Sequence, residues 1–267
     1  MKYMTFNSAC AFAGVANMLS AFGVEVEDRD IALGMKLPYL FDRDDRAYLA
    51  GPMLPSAEWF NLYLNAIGYE MTEHFLKPED VPGFLTGAKT AMLGIRVSPR
   101  DKHAVVYTGM SGDAFRFLNN KWQHTDDPEE LVFSKEELLT RLDGTVVVAT
   151  IHTCPARTAD FAPLFRHACS VLAELKEKLT EFCTEERTPE EIMGAMNPLF
   201  RPVLLDGITM LGLIGEGILS EKLRAVQVEF LTAIRTGKAA RLADVIHLDE
   251  LLDALDEYCM LIGKQIC

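Results

Sequence analysis

A cysteine, a histidine and an asparagine define the chemistry open to this chain. Cys10 stands in Asn7-Ser8-Ala9-Cys10-Ala11-Phe12-Ala13-Gly14, where a polar segment hands over to an apolar run. His103 opens His103-Ala-Val-Val-Tyr107 directly behind the charged stretch Ser98-Pro-Arg-Asp-Lys102, and Asn119 closes Ala114-Phe-Arg-Phe-Leu-Asn119. A thiol becomes a nucleophile when it is ionised, when a base within reach takes its proton, and when a third group orients that base. Cysteine, histidine and asparagine fill those roles in turn, and the resulting chemistry is attack on a carbonyl with the proton shuttled by the imidazole. Asn7, helped by the Cys10 backbone N–H, is the amide available to the oxyanion that such an attack creates. Read alone, Cys10 fits a packed core residue better than a nucleophile, because a small cysteine flanked by alanines is common in interiors.

The elements that must position these residues are legible from periodicity. Ala11, Val15, Met18, Leu19 and Phe22 recur at helical spacing and Gly23 follows as a stop, so a helix begins near Ser8 and carries Cys10 in its first turn. A helix N-terminus brings partial positive charge and free N–H groups to a thiol there. Two runs of β-formers flank Met110-Ser-Gly-Asp113 and predict a hairpin, which returns Asn119 to the neighbourhood of His103. Short helices are expected over 27–34, 56–67 and 77–87, strands over 69–75, 90–97 and 145–152, and a charged loop over 42–46. Ser134-x-x-Glu137 has capping-box spacing and opens a helix to Leu142. Beyond Pro155 no strand pattern remains; helices are expected over 161–184, 188–197, 200–217, 219–236 and 239–263. The class is therefore α+β, with an α+β domain over 1–154 and an all-helical domain over 155–267.

Composition narrows the partners. The 267 residues are 49% hydrophobic and carry a net charge of −13, an acidic excess that disfavours nucleic acid and anionic membrane surfaces. The most apolar late stretch, Leu204 to Leu219, is interrupted by Asp206 and Glu216, and the N-terminus lacks a basic region leading a hydrophobic one; a cytoplasmic protein is expected. Cysteines at 10, 154, 169, 183, 259 and 267 include no C-x-x-C pair and read as reduced, independent thiols. His152-Thr-Cys154 does not make a tetrahedral zinc site, and no cofactor or metal is implied. Trp122 and His124 are candidate cleft walls, Trp122 being read first as a hydrophobic anchor for the hairpin's return; Tyr39 and Phe41 are read first as packing residues and otherwise as cleft covers. The acidic runs 42–45 and 126–130 are most simply solvated surface, the alternative being recognition of a basic leader, substrate or amine.

The order of these parts resembles the papain-like cysteine peptidases, and more narrowly the bacteriocin-processing (double-glycine leader) peptidases. Their histidine strand reads roughly H-[FW]-V-V-x-x-G-x-x-x-[GD]-x-[VI]-x-[VI]-x-D-P, against His103-Ala-Val-Val-Tyr-Thr-Gly109-Met-Ser-Gly-Asp113-Ala-Phe-Arg-Phe-Leu-Asn119 here. Asn119 follows His103 by 16 residues, the family's spacing, and 93 residues separate Cys10 from His103. The resemblance covers residues 1–152 and implies a first helix packed on an antiparallel sheet. It departs at Met4, where those peptidases carry an oxyanion-binding Gln, at Ala11 in place of Gly, and at Asn119 in place of Asp with no proline after it. The run Cys10-x-x-Ala13 … Gly23 … Ile31-Ala-Leu-Gly34-Met-x-Leu-Pro-Tyr-Leu-Phe41 is similar to the N-terminal domain of the butirosin-biosynthesis acyltransferases, which pass an acyl group from a thioester to an amine. These resemblances imply a thiol enzyme acting on a small peptide or acyl thioester through Cys10, His103, Asn119 and Asn7. The alternative is a catalytically silent relative that binds a peptide or ligand, for which Met4 is the main argument. The helical half has apolar faces and no catalytic constellation, which fits packing, shaping a substrate site, or homodimer formation.

Overall fold

The computed structural model describes residues 1–6, 9–97, 102–237 and 240–266. It is α+β, with one six-stranded antiparallel sheet and a helical C-terminal region. The chain divides into two compact units, one of residues 1–35 and 55–159, the other of 36–54 and 160–267.

The first unit opens with α1 (Cys10–Ser20) and α2 (Asp28–Gly34), then α3 (Ala57–Leu64). Its sheet strands β3 (Tyr69–Leu76), β4 (Ala91–Arg96), β5 (Lys102–Ser111), β6 (Ala114–Asn119), β7 (Glu130–Phe133) and β8 (Val146–Thr153) run in the spatial order β3-β8-β4-β5-β6-β7. Helices α4 (Val81–Gly87) and α5 (Lys135–Thr140) complete it. On one face Val81, Leu85 and Leu138 pack against Leu93, Ile95, Val105, Tyr107 and Phe117. Met92, the out-of-phase residue of β4, instead meets α1 beside Gly14. Period-two alternation thus buries both faces, each against helices.

Helix α1 is buried from Phe12 to Leu19 without a break, as a helix with apolar residues on all sides must be. Phe12, Val15, Met18 and Leu19 are fully buried, each contributing roughly 1.5–3 kcal/mol. The N-cap is Ala9, which offers no side-chain acceptor; Ser8, expected near the cap, lies outside the described residues. The predicted capping box is present: Glu137 N–H donates to Ser134 Oγ at 3.2 Å, and Ser134 N–H to the Glu137 carboxylate at 2.8 Å. The β5–β6 hairpin is also present, with a register shift between Tyr107 and Gly109, where Gly109 takes φ +131°.

The second unit holds the hairpin β1 (Phe41–Arg43) and β2 (Tyr48–Ala50), where the sequence pattern gave only a charged loop. Its helices are α6 (Ala162–Thr184), α7 (Pro189–Ala195), α8 (Ile208–Leu213), α9 (Gly217–Thr236) and α10 (Leu248–Gly263). A two-residue pairing of β9 (Glu186–Arg187) with β10 (Ala240–Arg241) interrupts the all-helical expectation. The last helix starts at Leu248 rather than 239, behind a short 3-10 turn at Leu242–Asp244. Between α7 and α8 the chain widens into π-helical turns over Met196–Phe200 and Pro202–Gly207.

A cut at 154/155 would leave residues 36–54 with the sheet; side-chain contacts assign them to the helical unit. Tyr258, fully buried on α10, satisfies its hydroxyl by donating to the Pro38 carbonyl at 2.8 Å and sets its ring edge-on to Phe41. Glu174 of α6 collects Arg43 at 2.9 Å and the Tyr48 hydroxyl at 3.1 Å. Tyr39 and Phe41 pack within this unit, the first of their two readings, Tyr39 against Phe165 and Phe41 against Tyr258. No helix among the described residues is long and apolar enough to cross a membrane.

Candidate functional site

Cys10 is the first residue of α1, half-buried, and its Sγ accepts the Ala104 backbone N–H at 3.4 Å. His103, the residue before Ala104, makes a side-chain hydrogen bond with the same sulfur. The His103 ring also bonds the Asn120 backbone, whose only acceptor is its carbonyl, and the Asn119 side chain. Asn119 is buried and oriented: its Nδ2 donates to the Pro128 carbonyl at 2.8 Å, which leaves Oδ1 as the atom to receive an imidazole N–H. Its backbone N–H donates to Glu129 at 2.8 Å, so the loop after β6 holds both ends of the residue. Cys10, His103 and Asn119 are therefore brought together in the first unit; Asn7 lies outside the described residues.

The electrostatics follow from these contacts. Burial pushes the Cys10 thiol up, but the His103 hydrogen bond, the Ala104 N–H and the imidazole's charge together outweigh it, and the thiol ends below its ordinary value. The hydrogen bond to Cys10 raises His103 most; burial opposes that, and the Asn120 carbonyl and Asn119 side chain add to it. Each group favours the charged form of the other, which is the thiolate–imidazolium arrangement that activates a cysteine.

His103 borders an open cleft of about 320 Å³, walled also by Met4, Val97, Asn119, Asn120, Lys121 and Trp122, with Cys10 behind it rather than in the lining. Met4 and Trp122 also border an adjoining hollow of about 510 Å³, with Tyr3, Thr5, Asp28 and Gln123 on its far side. Met4 is held there by its N–H on the Lys121 carbonyl at 2.9 Å, so a thioether stands at this wall and no side-chain donor. Trp122 and His124 both line this groove. Lys121, only 8% exposed, caps the Thr125 and Asp127 carbonyls at 2.7 Å each and so shapes the loop that orients Asn119.

Sequence reasoning missed a layer behind the pair. Asn17, on the buried face of α1, donates to Asn120 Oδ1 at 3.1 Å and exchanges two bonds with the Lys2 backbone at 2.7 and 3.0 Å. The signal was available: an asparagine inside an apolar helix needs partners. Gly14 is needed for closeness, since a Cβ there would come within 2.7 Å of Asn120 Nδ2 and collide with the Met92 sulfur.

The other thiols differ. Cys169 and Cys259 of the helical unit are in mutual contact rather than independent, with the Cys169 thiol 3.5 Å from the Cys259 carbonyl. A larger cleft of about 610 Å³ there is lined by Lys176, Glu177 and Cys259 among others, and by no histidine. Among the described residues no cluster of three His, Cys, Asp or Glu could hold a metal ion. His152 approaches Glu70 at 3.5 Å. No protein-family model matches the chain, and no curated protein matches it.

Proposed function

We propose that the first unit is a papain-like thiol enzyme of acyl transfer or amide hydrolysis, with Cys10 as nucleophile, His103 as base and Asn119 as its orienting residue. The observation that carries this is the hydrogen bond between Cys10, at the start of α1, and His103, which lines an open cleft. The Cys10 thiolate attacks the carbonyl of a small peptide or acyl thioester, forming an S–C bond. The tetrahedral intermediate expels the amine or thiol, which leaves with the proton held by His103, and an acyl-enzyme remains. Water or an amine then attacks that acyl group, His103 takes the incoming proton, and Cys10 is released as thiolate. Backbone N–H groups at the start of α1 face the developing oxyanion, with Asn7 as the side-chain donor that this reading assigns.

The test is alkylation by iodoacetamide across pH, wild type against His103→Ala, followed by intact mass after mixing with an acyl N-acetylcysteamine thioester. Cys10 is expected to alkylate well below about pH 8.5, the ordinary thiol value, and to gain the acyl mass, both depending on His103. Alkylation confined to high pH in both proteins would sink the reading. One observation favours the second reading, a binding module without turnover: Met4 presents no donor at the cleft wall. That reading expects a reactive thiol but no acyl-enzyme.

A further inference from the structure

Asn120 touches both halves of the site, although the histidine motif carries a proline at its position and no role is legible for it in the sequence. The register of β6 on β5 ends at Asn119 opposite Val105, so Ala104 has no strand neighbour on that side. Its peptide groups are taken up by side chains instead: its N–H by Cys10 Sγ at 3.4 Å, and its carbonyl by Asn120 Nδ2 at 3.0 Å. The Asn120 backbone bonds the His103 ring, and its Oδ1 accepts from Asn17 of α1 at 3.1 Å. Asn120 is fully buried, and its bond from Asn17 is buried with it.

We propose that Asn120 is the positioning residue that sets the separation and orientation of Cys10 and His103, acting through the Ala104 peptide on one side and Asn17 on the other. This rests on the reading of Cys10 and His103 as a thiol–imidazole pair. Three elements converge on one amide: α1 carries the thiol, β5 the imidazole, and the residue after β6 ties them. Without the amide, the Ala104 carbonyl loses its partner and the peptide is free to rotate. The Ala104 N–H then leaves the sulfur and the ring loses its fixed acceptor. Gly14 belongs to the same device, because only a residue without Cβ lets Asn120 approach α1 this closely.

The experiment reads the pH midpoint of Cys10 alkylation, alongside thermal melts, in wild type, Asn120→Ala and Gly14→Ala. Gly14→Ala retains every polar atom and improves helix propensity, so it reports on the position of Asn120 where Asn120→Ala does not melt cooperatively. The expected result in a folded variant is a midpoint raised by about one pH unit or more, an approximately tenfold slower alkylation below that midpoint. A residue that only stabilises the fold would lower the melting temperature and leave the midpoint of the folded protein unmoved, and that outcome overturns the proposal. The two readings fail separately. An ordinary midpoint in the wild type removes the thiol–imidazole pair itself; a low midpoint in wild type and variants alike removes only the role of Asn120.

Discussion

Two cysteines taken out of water respond in opposite directions. Cys183, on α6 of the helical unit, is fully buried among apolar neighbours, and burial pushes its thiol up to about 12, with only the charge of Arg187 opposing. Cys10 is also largely withdrawn from solvent, yet its thiol falls below the ordinary value. Burial acts on both; what separates them is a hydrogen-bonded imidazole and a backbone N–H aimed at the sulfur. A thiol is made reactive by what faces it, and apolar enclosure without such partners makes it inert. Cys169, paired with another thiol rather than an imidazole, follows Cys183, raised to about 12 by burial first and by Cys259 second.

The comparison breaks most directly at Cys10 itself. Cys10→Ser should abolish alkylation at neutral pH and any acyl-enzyme, with Cys183 still unlabelled, as read by peptide mass spectrometry. Substituting His103 by Ala should turn Cys10 towards the behaviour of Cys183, since burial then acts with less opposition; its alkylation rate at pH 6.5 should drop by about one to two orders of magnitude. A smaller change is expected at Asn119. Its replacement by Ala should slow acyl transfer about tenfold by releasing the ring, whereas Asp keeps the acceptor and adds a charge that raises His103 further. With Asp, the imidazolium should persist to higher pH, which the NMR shifts of the His103 ring would follow.

The smallest effect tests the other side of the contrast. A thiol raised to about 12 in the fold ionises earlier when the chain is unfolded, from about pH 8.5. Its stabilising contribution is therefore present in full below that pH and lost as pH rises towards the folded value. Melting temperature should fall on the alkaline side, and Cys183→Ala should flatten that fall at a cost of about 1 kcal/mol for the cavity.

Much of the fold was open to reading because it follows local rules. The apolar spacing from Ala11 to Phe22, the Ser134–Glu137 box and the Ser-Gly-Asp turn each specify an element by nearby contacts. The hairpin β1–β2 escaped notice because its three-residue strands are too short for a period and are fixed by α6 and α10. The start of α10 shifted for a related reason: the pattern from residue 239 continues, but Leu242–Asp244 is a separate 3-10 turn. At the site, the cysteine and histidine could be found by residue type and context. The layer behind them could not, because Asn17 and Asn120 lie 103 positions apart and mean nothing singly.

The sequence by itself determined the elements, the α+β class, and the placing of Cys10 at a helix start and His103 at a strand start, since these depend on neighbours along the chain. Tertiary structure alone decided which thiol is more acidic than usual. A thiol's acidity is set by the groups within a few ångströms of it, and for Cys10 those are His103 and Ala104, delivered by a strand more than 90 residues away and held there by Asn120.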